Sequence, residues 1–62
     1  MPLIEVTAFE PRFEDEEKSR RLIEALTDAL VSVYGEASRA ETWVVLNGVA
    51  PNRWGFGGKL RT

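Results

Sequence analysis

The chain has no cysteine and no histidine among its 62 residues. Without thiols there can be no disulfide framework, and without either residue the ordinary zinc and copper ligands are gone. The same two absences exclude a serine triad, a cysteine nucleophile and a histidine general base. Any catalyst must therefore draw on carboxylates, Arg, Lys, Tyr or a terminal amine. A basic field is also missing. Ten acids against eight bases leave a net charge of −2, which gives nucleic acid nothing to hold. No apolar run approaches the length of a membrane span, and the opening MPLIEV lacks the cationic and apolar regions of a signal peptide. Repeats and low-complexity segments are absent as well. The expectation is a cytoplasmic protein with no membrane partner, no metal and no cofactor.

A hydrophobic fraction of 44% is that of a globular chain, and the length implies one domain over residues 1–62. A domain of this size buries only about 60% of the surface its unfolded chain exposes. Small scaffolds are stapled by disulfides, a metal or oligomerisation, and only the last is left here.

Residues 2–9, PLIEVTAF, alternate in part and are rich in β-formers, which predicts a strand. Pro2 is tolerable at its first position, where no ladder donor is needed. EPRFED reads as a loop around Pro11. From Glu14 to Tyr34 the period turns helical, with Leu22, Leu26, Ala29, Leu30 and Val33 at spacings of three and four and Ile23 beside them. Asp15, Glu16 and Glu17 suit the helix start, and Gly35 suits a left-handed C-terminal cap. Ser38 and Glu41 have capping-box spacing, enough for one short turn. Thr42–Leu46, TWVVL, reads as a strand apolar on both faces. Beyond it, Asn47-Gly48 and Gly57-Gly58 are turn signals, and Arg53–Phe56 is a candidate hairpin arm. A strand, a long helical crossover and a second strand make a β-α-β unit. Two strands and one helix leave a sheet edge and a sheet face bare, so a second chain is expected to cover them.

Taken together, MPLI at the start, Glu10-Pro11-Arg12 after the first strand, the amphipathic helix, TWVV and the C-terminal RWGFGG resemble the 4-oxalocrotonate tautomerase family, the short-chain branch of the tautomerase superfamily. The resemblance covers essentially the whole chain. It implies an α+β fold whose strands pair between subunits of a trimer of dimers, with pockets shared between chains. It also implies a cofactor-independent isomerase in which an amino-terminal proline, freed of methionine, moves a proton in an enol or dienol carboxylic acid. Dehalogenase, hydratase or decarboxylase activity is a variant on the same scaffold.

Carried over residue by residue, the resemblance makes Pro2 the general base and acid. Arg12 becomes the first carboxylate-binding arginine, although Pro11 stands where members usually have glycine. Trp54 takes the place of the aromatic residue that keeps the pocket apolar. The second arginine, at the start of the second strand, has Thr42 in its place. Arg39 lies three residues earlier, out of register, and Arg53 beside Trp54 is a candidate substitute.

Each of these residues also has a plainer reading. Pro2 can be a rigid strand start, Arg12 a solvated loop residue, and Trp54 packing for a core or an interface. Gly55, Gly57 and Gly58 serve turn geometry, since no helix follows them to make a phosphate cradle. For Pro2 the chemistry favours function. A free α-amino group titrates at about 7.7–8.0 in model peptides, and an apolar pocket disfavours its charged form. Two functions stay open: an isomerase acting through Pro2 with small keto or enol acids, and a non-catalytic subunit that completes a homo- or hetero-oligomer. Pro2, Arg12 and Trp54 favour the first, and Thr42 favours the second.

Overall fold

The computed structural model describes residues 1–60. Strand β1 (Leu3–Phe9) leads through a 3-10 turn (Glu10–Phe13) to helix α1 (Glu16–Tyr34). A second 3-10 segment (Glu36–Glu41) returns the chain to β2 (Trp43–Val49), and a third (Pro51–Arg53) precedes a small hairpin of β3 (Gly55–Phe56) and β4 (Lys59–Leu60). β1 and β2 are parallel and in register from Leu3 opposite Trp43 to Phe9 opposite Val49. The Trp43 N–H also donates to the Pro2 carbonyl at 2.9 Å, which carries the pairing one residue further. The β-α-β unit and C-terminal hairpin expected from the sequence are both present.

Local chemistry explains where the boundaries differ. α1 starts at Glu16 because Asp15 is its cap: its Oδ1 accepts from the Glu17 and Lys18 N–H groups at 3.0 and 3.2 Å. Gly35 ends the helix with φ 96° as a glycine can, but its ψ of 161° is extended, not left-handed helical. Ser38 lies inside a six-residue 3-10 segment and donates its hydroxyl to the Gly35 carbonyl instead of capping a turn. Asn47-Gly48 is no turn. Both residues belong to β2, where they face Thr7 and Ala8. Gly48 allows close approach, because a Cβ there would stand a tight 3.1 Å from the Glu10 Cα. The hairpin turns at Gly57-Gly58, with φ 59° and 84°, so Arg53 and Trp54 precede its first arm.

One face of the sheet, with Ile4, Val6 and Ala8 from β1 and Val44 and Leu46 from β2, is half-buried. Leu22, Leu26 and Leu30 of α1 are half-buried too, joined by Thr27 and Val31 where the periodicity pointed to Ala29 and Val33. The other face is open. Leu3, Trp43 and Val45 are 49%, 57% and 40% exposed, and Val33 on the helix is 73% exposed. TWVVL is thus apolar on both sides but covered on only one.

No described residue is fully buried. The Cα radius of gyration is 14.5 Å, with extents of 44 × 25 × 14 Å. A compact chain of this length would measure about 10.5 Å. The fold is a flat half-sandwich whose apolar outer face meets water.

The cap gives a direct test of how α1 is held. Asp15→Ala removes the acceptor of two helix N–H groups and is expected to cost about 1 kcal/mol, read from urea denaturation at fixed protein concentration. An unchanged midpoint would mean that the cap contributes nothing to stability.

Candidate active site

The turn after β1 carries Arg12 and is braced on two sides. Glu10 packs its Cα against Gly48 of β2, and Ser19 of α1 donates its hydroxyl to the Phe13 carbonyl at 3.2 Å. Pro11 sits in the first positions of the 3-10 turn, where a missing N–H costs nothing. Beside the turn is an open groove of about 410 Å³ lined by Phe9, Pro11, Arg12, Asp15 and Lys18. Arg12 has no ion-pair or hydrogen-bond partner for its guanidinium among the described residues. An unpaired guanidinium next to an aromatic ring suits a planar carboxylate.

Trp54 reaches the same end of the sheet. Its ring lies 4.7 Å from that of Phe9 at an interplanar angle of 49°, and its indole N–H donates to the Val49 carbonyl at 3.1 Å. Phe9 therefore joins the Trp54 side of the molecule to the Arg12 groove. Arg53 precedes Trp54 in an exposed turn outside the groove lining.

Pro2 is at the other end. It lies before the first residue of β1, whereas Arg12 follows the last. Seven strand residues at ~3.3 Å each put roughly 20 Å or more between them. Near Pro2, the Thr42 hydroxyl donates back to the Ser38 carbonyl at 2.8 Å. Arg39 is engaged elsewhere: it bonds Glu36 through Nε and Nη2 and Asp28 through Nη1. Those two carboxylates, Glu36 first, push its pKa up from the ordinary arginine value. Its work is to tie the Glu36–Glu41 segment to α1. Among the described residues no cluster of carboxylates could hold a metal ion.

A family profile described as "Tautomerase enzyme" matches residues 2–62. The chain belongs to the tautomerase family, the 4-oxalocrotonate tautomerase family that its motifs resemble. No curated protein and no solved structure matches it. Family membership and the β-α-β fold make it a tautomerase-superfamily isomerase by class. Among the described residues no helix is long and apolar enough to cross a membrane.

Arg12, Phe9 and Trp54 thus gather at the C-terminal end of β1, and Pro2 stands apart. Phe9 and Lys18 escaped the sequence reading. Phe9 looked like the end of a strand, and Lys18 stood out in no motif. The available signal was spacing, since Phe9 immediately precedes the Arg12 turn and Lys18 follows the Asp15 cap by three.

Gly48 links the sheet to this turn. Gly48→Ala would press a methyl group against the Glu10 backbone and is expected to cost about 1–3 kcal/mol. The midpoint of urea denaturation reports it. A variant with wild-type stability would show that the turn has slack.

Proposed function

We propose that this tautomerase-family member is a cofactor-independent isomerase acting on a small enol or dienol carboxylic acid. In this reading Pro2, after removal of Met1, is the general base and acid, and Arg12 holds the substrate carboxylate. The observation that carries it is the unpaired Arg12 beside an aromatic groove, in a chain matched by the family from Pro2 onward. The proline nitrogen is an amide while Met1 is attached and a secondary amine once it is gone. The free amine takes a proton from one end of the conjugated enol system and returns one at the other, so no proton is gained or lost overall. Apolar surroundings disfavour the ammonium and bring the amine closer to neutral form near pH 7. Trp54 and Phe9 offer such surroundings.

Pro2 and Arg12 of one chain cannot reach the same small molecule across the length of β1. The reading therefore requires a site built from at least two copies, with Pro2 of one chain set against Arg12 and Trp54 of another. The exposed Leu3, Trp43 and Val45 give those copies an apolar surface to share. We take the assembly to be a homo-oligomer, a hexamer as the family resemblance implies.

The second reading, a subunit that completes a site without catalysing, is favoured by one fact. This chain offers no free arginine at the start of β2, since Thr42 is there and Arg39 is bound to Glu36 and Asp28. For the same reason a dicarboxylate should be a poor substrate.

Kinetics on material with a verified N-terminus separates the two readings. Chains beginning at Pro2 should tautomerise an arylpyruvate enol at a rate that rises with pH through one ionisation, as the ammonium gives up its proton. Pro2→Ala should lower kcat by about a hundredfold or more. Arg12→Ala should cost on the order of 2–5 kcal/mol in kcat/KM for the acid. Equal rates from processed and Met-retaining chains would make the amine irrelevant and leave Pro2 a strand start.

A further inference from the structure

We propose that Lys18 is a second substrate-binding cation, acting with Arg12 on the same carboxylate, so that one end of the site makes a two-cation grip. This deepens the isomerase reading and rests on it.

Lys18 is the third residue of α1, and side chains on a helix lean toward its N-terminus. That brings the ammonium back over the turn carrying Arg12, and both residues line the groove.

The acids around them are spoken for or stand off. Glu16 and Glu17 pair with Arg20, one turn further along the helix. Asp15 lines the groove and opposes an anion, but its Oδ1 already accepts two helix N–H groups. Glu10 lies toward Gly48, and Glu14 is outside the lining. Lys18, like Arg12, has no side-chain partner among the described residues. The groove therefore presents two unpaired cations against one carboxylate that is already hydrogen-bonded. Phe9 and Pro11 supply an apolar wall beside them.

The ligand that fits is an acid whose carboxylate lies between guanidinium and ammonium and whose planar conjugated body lies along the Phe9 ring. Both cations are exposed, so their attraction is screened by salt. Specificity then has a clear source. With Thr42 in place of a second arginine at the Pro2 end, the charge for binding is concentrated at the Arg12 end. The site would select monoanions with an apolar far end.

The test compares an arylpyruvate with its uncharged methyl ester in wild type, Lys18→Gln, Lys18→Arg and Arg12→Ala, all beginning at Pro2. Calorimetric binding of an unreactive arylacetate runs in parallel and needs no turnover. Lys18→Gln should raise the KM of the acid and the Kd of arylacetate about tenfold, as loss of one charge-assisted contact does. It should leave the ester unaffected and flatten the rise of KM with salt. Lys18→Arg should restore most of the affinity. If Lys18→Gln leaves acid and arylacetate affinity within about twofold while Arg12→Ala weakens both, Lys18 is no ligand and the Arg12 reading stands. If neither variant changes either affinity, the groove is not the carboxylate site and both readings fall. Equal losses for acid and ester in Lys18→Gln would mark a structural defect and also overturn the proposal.

Discussion

Seven residues of extended chain separate Pro2 from the turn that carries Arg12, and that distance constrains any site that would use both. A strand is stiff and cannot fold back on itself, so the two ends of β1 belong to different neighbourhoods. One has Pro2, with its carbonyl held by the Trp43 N–H; the other has Phe9, Trp54, Arg12 and Lys18. Chemistry that uses a base and a cation on one small acid must bring opposite ends of two strands together. Catalysis in this reading is a property of an assembly.

The energetics point the same way. Among the described residues of a single copy no side chain is fully enclosed, and Leu3, Trp43 and Val45 lie in water on the outer sheet face. At about 25 cal/mol per Å² of apolar surface, covering that face would add stability that a single copy does not have. In the proposed assembly, forming a core and completing a site would be one event. The polar part of the outer face, where Asn47 reaches Glu5 at 3.5 Å, lies toward the Arg12 end and gives that surface a direction.

Much of this was legible in the residues. The change of period from two to 3.6 placed β1 and α1, and TWVVL placed the start of β2. Pro2, Arg12 and Trp54 were singled out by their motifs, and the fold brings Arg12 and Trp54, but not Pro2, to one end of β1. What could not be read was set by contacts across the fold. Asn47-Gly48 has the composition of a turn, yet it lies within β2, where the Glu10 backbone passes close to Gly48. Arg39 looked like an arginine out of register, and only its bonds to Glu36 and Asp28 show what it does. Phe9 gains meaning from the Trp54 ring, which is distant in sequence. A linear pattern reports which face a residue takes but not which neighbour it meets.

The claim that the base and the carboxylate clamp come from different chains is tested most directly by mixing two defective variants. Pro2→Ala and Arg12→Ala chains, each processed to remove Met1, are unfolded together and reassembled, and the rate is compared with each variant alone. If sites are shared, random assembly leaves about a quarter of them with an intact Pro2 from one chain and an intact Arg12 from another, and activity returns to that extent. If each chain carries its own complete site, no mixture contains an intact one, and activity stays at the level of the separate variants.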